Sequence, residues 1–127
     1  MDRAGNEKLD STNLMIPVAA NTSITEATMV AINEDGYAVT ASKAENLVVA
    51  GCAMRFADNS SGAAGAEMVH VRRGAFVWDN DGTINSTDIL KDAYVSDGKT
   101  VTITATESSR AGKILAVDSD GVTVEML

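Results

Sequence analysis

Turns built on Asp and Gly divide this chain into segments that suit strands and little else. Glu34-Asp35-Gly36, Asp79-Asn80-Asp81-Gly82, Ser96-Asp97-Gly98-Lys99 and Ser119-Asp120-Gly121 each separate short apolar stretches. Gly supplies the positive φ of a tight turn, and Asp or Asn bonds back to the local backbone. Between the turns, Tyr37, Val39 and Ala41 alternate with smaller or polar residues, as do Val101, Ile103 and Ala105, and Val122, Val124 and Met126. A period of two marks a strand. Thirteen valines and twelve threonines against six leucines push the same way, because β-branched side chains are stiff and pack well on a pleated surface. The expected fold class is all-β: a small antiparallel β-sandwich or partly closed barrel with an extended N-terminal arm and one short helical turn.

The expected strands are Met29 to Asn33 with Tyr37 to Ala41, Leu47 to Ala57, Glu67 to Trp78, Val101 to Ala105, Lys113 to Asp118 and Val122 to the C-terminus. Gly74 within Glu67–Trp78 marks a bulge or a close backbone approach. Ser86 or Thr87 reads as the N-cap of a single helical turn carrying Ile89 and Leu90. Residues 1–28 are largely polar or small and have little with which to build a core, so they read as an extended arm preceding a compact domain at 29–127. Ser23-x-x-Glu26 matches a capping box but runs directly into a strand pattern, and is set aside.

A chain of 127 residues makes one domain. Nineteen alanines and only five aromatic residues make its core thin or spread out. A net charge of −8 works against nucleic acid and anionic membranes as partners, since both are held through clustered Lys and Arg. No apolar run is long enough to span a bilayer, and the start MDRAGNEKLDST lacks a secretory h-region, so synthesis in a cytoplasm is expected. Cys52 is the only cysteine and lies in the small apolar run Val48 to Ala53, which suggests a buried thiol.

Chemical motifs are sparse, and no enzyme activity, cofactor or metal is expected. His70 shares a strand face with Met68 and Arg72 and has no nucleophile elbow to serve. Asp79-Asn80-Asp81-Gly82 begins like a calcium loop, but the closing Glu at position 12 is replaced by Leu90. Arg110-Ala111-Gly112-Lys113 lacks both the upstream Gly and the following Ser or Thr of a phosphate loop. Asn21-Thr22-Ser23, Asn59-Ser60-Ser61 and Asn85-Ser86-Thr87 fit a glycosylation sequon but read as loop chemistry. Arg72 and Arg73 are adjacent on a strand, so their guanidiniums diverge and one of them can face a partner. They are interface candidates together with Trp78, which stands beside a polar turn although core packing is its default.

The chain resembles the capsid decoration, or cement, proteins of Mu-like and related tailed bacteriophages over about residues 16–127. The resemblance is carried in order by Val18-Ala19-Ala20-Asn21-Thr22, Met29-Val30-Ala31-Ile32-Asn33, Asp35-Gly36-Tyr37-Ala38-Val39, Val49-Ala50-Gly51 and Ala57-Asp58-Asn59. It continues through Gly62, Gly65, Val71-Arg72-Arg73-Gly74-Ala75-Phe76, Ala93-Tyr94-Val95, Asp97, Thr100-Val101, Ser108-Ser109-Arg110-Ala111-Gly112 and Val117-Asp118. It implies a structural virion protein on the outer surface of an icosahedral shell, made in the host cytoplasm. Such a protein stabilises contacts between subunits of its partner, the major capsid protein. It also implies a homo-oligomer, a trimer before a dimer. A net negative charge suits the outer surface rather than the DNA-facing one. The arm is then expected to order on the shell through Leu14, Met15, Ile16, Pro17 and Val18, adding main-chain hydrogen bonds to a capsid strand edge. The alternative is a surface-exposed β-sandwich binding module for glycan or host-surface recognition, which needs an exposed aromatic platform. A metal enzyme of cupin type is a third class, and one histidine argues against it.

Overall fold

A computed structural model of the chain describes Gly5 and residues 10–127. The strands are β1 (Asn13–Pro17), β2 (Thr22–Ile24), β3 (Met29–Ile32), β4 (Ala38–Thr40), β5 (Val48–Ala53) and β6 (Ala57–Asn59). They continue as β7 (Met68–Arg72), β8 (Gly74–Asn80), β9 (Asp92–Val95), β10 (Thr100–Thr102), β11 (Arg110–Asp118) and β12 (Gly121–Met126). The fold is all-β, with one 3-10 turn at Ser86–Asp88.

Two bodies result. Strands β10, β8, β12, β11 and β9 close into a barrel, while β1, β7, β5, β3 and β4 form a five-stranded sheet in that order. The barrel closes through one parallel pair, β10 on β8, with Thr100 opposite Asp79 and Val101 opposite Asn80. The sheet almost closes too. Val18, just beyond β1, bridges Ala38 on the opposite edge strand. There the Val18 N–H donates to the Glu67 carbonyl (2.9 Å) and the Ala19 N–H to the Ala38 carbonyl (3.0 Å). Strands β2 and β6 pair as a separate ribbon.

Each body has its own apolar cluster, and the sheet contributes to both. Ile16, Val18, Ile24, Val30, Val69 and Val71 fill the first cluster. Trp78, Val101, Ile114, Val122 and Val124 fill the barrel, and Met29, Ala31, Ala41 and Cys52 of the sheet join them. The alternation in the β3–β4 hairpin therefore separates one core from another, with Val30 and Ala38 on one side and Met29, Ala31 and Ala41 on the other.

Four sequence expectations change here. Glu67–Trp78 is two strands: β7 belongs to the sheet and β8 to the barrel, redirected at Gly74, whose φ is +144°. Leu47–Ala57 is likewise β5 and β6 on different partners. The cap of the 3-10 turn is Asn85 rather than Ser86 or Thr87. Its side chain accepts from the Thr87 N–H (3.1 Å), and Asp88 accepts from the Asn85 N–H (3.0 Å), a complete capping box. Finally, residues 13–28 of the expected arm are built into the fold. β1 pairs along β7, and Ile16, Val18 and Ile24 are buried. Residues 1–4 and 6–9 of that arm lie outside the described residues.

Asn59 locks the entry to the first body. It is buried, and its amide nitrogen lies within hydrogen-bond distance of three carbonyls: Val18 (3.3 Å), Ala19 (3.0 Å) and Ala63 (2.9 Å). Ser109 does similar work between the bodies. Its hydroxyl donates to the Ala44 carbonyl (2.7 Å) and accepts from the Leu47 N–H (3.1 Å).

Candidate functional site

The antiparallel register of β1 on β7 sorts the expected anchor residues onto two faces. Asn13 lies opposite Arg72, Met15 opposite His70 and Pro17 opposite Met68, so these six share one face. Leu14 and Ile16, opposite Val71 and Val69, share the other and pack with the first cluster. Of the five candidates Leu14 to Val18, only Met15 is fully exposed, at 60%. Ile16 and Val18 are not available as anchors for a partner, because they already fill the chain's own core. The interface candidates separate in the same way. Arg72 is exposed on the Met15 face, Arg73 is half-buried at the junction of the two bodies, and Trp78 is buried in the barrel. Trp78 stacks obliquely with Phe76 at 6.3 Å between ring centres, and its indole nitrogen lies 3.3 Å from the Met126 sulfur.

The Met15 face continues the surface on which the barrel sits. Arg72 lies opposite Cys52, and Cys52 opposite Met29, in one row across β7, β5 and β3. Over Cys52 and Met29 the barrel covers that row; over β7 and β1 no described residue covers it. The bare part carries Met15 and Met68, and Phe56 joins them around a shallow pocket with Arg55 and His70. Phe56 is 60% exposed and Met68 46%. The described residues form ion pairs only at Lys91–Asp88 and Arg110–Asp92, so among them neither Arg55 nor Arg72 has a carboxylate partner. His70 is held by Asn13, with 2.8 Å between its Nε2 and the amide oxygen.

A second concavity, about 450 Å³, lies between sheet and barrel and is lined by Leu14, Val48, Met126, Arg73 and Arg110 among others. Its cations are engaged by the chain itself. Arg110 Nε donates to Asp92 at 2.8 Å, and Arg73 donates through its backbone N–H to the Thr12 carbonyl (2.7 Å) and through Nη1 to that of Ser11 (3.3 Å). These contacts tie β1 and β9 to the junction.

The shifted carboxyls belong to turns rather than to a reaction centre. Asp10 lies well below the usual carboxylate range because Asn13 and Thr12 donate to it. Asp58 is lowered by Ser60, side chain first and then backbone. Asp97 is lowered chiefly by the Lys99 N–H. Burial raises the Cys52 thiol, which keeps it protonated and poorly nucleophilic. Among the described residues no three His, Cys, Asp or Glu side chains gather as a metal ion would require. Asp79-Asn80-Asp81-Gly82 is a turn closed on itself, with Asn80 accepting from the Gly82 N–H (2.8 Å) and Asp81 from the Thr83 N–H (3.0 Å).

The lowered carboxyls set a pH dependence. Their pKa values are lower folded than unfolded, so the stability they contribute is present above about pH 4 and declines as pH falls below it. The urea midpoint is expected to fall between pH 5 and pH 3. In Asp97→Asn that fall should be shallower than in the parent chain, and parallel slopes would show that Asp97 contributes nothing to it.

Comparison of the chain with protein-family models, curated protein sequences and solved structures gives no match. Sequence reading named Met15 and Arg72 separately and put Met68 on the strand face of Arg72; the fold adds Met15 to that face and brings Arg55 and Phe56, which were not candidates, beside it. The available signal was the length of the supposed strand Leu47–Ala57, which exceeds an ordinary strand and had to turn somewhere near Arg55-Phe56.

Proposed function

We propose that this chain is a structural virion protein that binds the outer surface of an icosahedral phage shell and stabilises contacts between major capsid subunits. The observation that carries this reading is the exposed apolar face of β1 and β7, where Met15, Met68 and the neighbouring Phe56 offer a surface for protein contact. The sequence resemblance to capsid decoration proteins supplies the identity of the partner. Two cores sharing one sheet give the rigidity that a clamp between subunits requires. A glycan-binding module would want a platform of rings, and of the five aromatic side chains only Phe56 is fully exposed.

The test is co-sedimentation with shells of the parent phage, counting bound copies per capsid subunit and scoring shell rupture. Saturation at a fixed ratio with later rupture is expected. Failure to bind both immature and expanded shells would overturn the proposal. A deletion that probes the N-terminal segment should stop before Asn13, because removing β1 would strip Ile16 and Val18 from the first core.

A further inference from the structure

We propose that the bare face of β1 and β7 docks onto the outer wall of the barrel in a second copy of this chain, so that copies join head to tail. The inference assigns to a second copy the face on which the capsid reading also rests, but it does not depend on that reading. Its first ground is charge. In a chain of net charge −8, the face gathers Arg55, Arg72 and His70 around Met15, Phe56 and Met68, and neither arginine pairs with a carboxylate among the described residues. Asp10, which accepts from Asn13 of this row, is also held by Thr12. An acidic surface with an apolar centre is the complement such a face calls for.

The chain carries that complement itself. In the β8–β12 register, Val77 lies opposite Thr123 and Ala75 opposite Glu125, both pairs on the outer wall, since the alternate positions Trp78 and Val122 point into the core. Val77 is 55% exposed. Asp79 continues the same row, and Asp118 and Asp120 stand at the adjoining turn. Lys113, opposite Glu125 on β11, and Lys99, whose carbonyl accepts from the Asp79 N–H (2.9 Å), are cations at the margins of this wall. An apolar strip rimmed by four carboxylates thus faces outward on one body, and an apolar strip rimmed by two arginines on the other.

The two surfaces are different patches on different bodies of one chain, and the contact inferred between them is heterologous. Repeated, it yields a closed ring or an open filament rather than a two-fold dimer. A standard interface takes about 800 Å² from each partner. That is about a tenth of the chain's 7313 Å² of accessible surface.

Charge reversal in trans tests this. Arg55→Glu/Arg72→Glu reverses one surface and Asp79→Lys/Asp118→Lys the other; all four positions are exposed, and far-UV circular dichroism checks that each variant folds. In sedimentation velocity the parent chain is expected to run as an oligomer that dissociates as salt rises. Each double variant should associate at least roughly tenfold more weakly. An equimolar mixture of the two variants should recover association, because each then offers the charge that the other lacks. A parent chain that is monomeric at every concentration would overturn the proposal, as would a parental oligomer in both variants. So would variants that dissociate but do not recover on mixing. Shell binding is scored separately on the same samples. Oligomers that ignore shells would defeat only the capsid reading, and monomers that bind shells only this one.

Discussion

Trp78→Ala is expected to lower stability by about 3–5 kcal/mol, the usual cost of emptying a large aromatic site in a packed core. Trp78 is buried at the point where β8 passes through the barrel, and its cluster includes Met29, Ala31, Ala41 and Cys52 from the sheet. The loss should therefore be felt in both bodies. Thermal unfolding should remain a single transition, shifted down by about 10–20 °C. Amides of β3 and β5 should lose hydrogen-exchange protection together with those of β8 and β12. If protection fell in the barrel alone, the two bodies would be separate cooperative units and the shared cluster would carry little energy.

Gly51→Val should be at least as damaging, by a different route. Gly51 sits in β5 at φ +151°, and a Cβ placed there would lie 2.3 Å from the Arg72 carbonyl oxygen of the neighbouring strand. The obstacle is backbone, so no side chain can rotate out of the way. Either β5 separates from β7 or the substituted residue is forced from its backbone region, and each alternative costs several kcal/mol. The expected result is a chain recovered largely unfolded or insoluble. Gly5→Val is the control, since no described residue lies within 4 Å of a Cβ at that position. A folded Gly51→Val protein with an unchanged urea midpoint would show that β5 and β7 are not packed this closely.

Much of the fold was legible because the local chemistry agreed with it. The Asn33–Tyr37 turn is closed by the Asn33 side chain accepting from the Asp35 and Tyr37 N–H groups, both at 3.0 Å, and the hairpin it makes is the one that the residues around Gly36 announce. The Asp118–Gly121 turn and its two strands follow from the same chemistry. What could not be read locally was which sheet a strand would join. Arg73-Gly74 looks like a bulge from within the strand, and only the pairing of β8 with β12 and β10 makes it the crossing between two bodies. The polar, small-residue segment 19–28 misleads for a related reason. It needs no core of its own, because Val18 and Ile24 enter one assembled largely from later strands. The candidate face was hidden more deeply still, since Met15, Phe56 and Met68 come from three separate stretches and only β1–β7 pairing and the turn after β5 bring them together.

The same long-range pairing sets the order in which the chain can assemble. Hairpins β3–β4 and β11–β12 join neighbours in sequence and can form as soon as each is made. β1 has no strand to pair with until β7 has been synthesised, and β8 can meet β10 earlier but gains its longer, antiparallel partner only with β12. Neither body can close during most of translation, and refolding should be governed by these late closures, on the order of milliseconds to seconds as in other small β proteins rich in distant contacts. While β1 waits, Leu14, Met15 and Ile16 are exposed on an unpaired strand. Early in its life, then, this chain depends on its surplus of negative charge to keep copies apart.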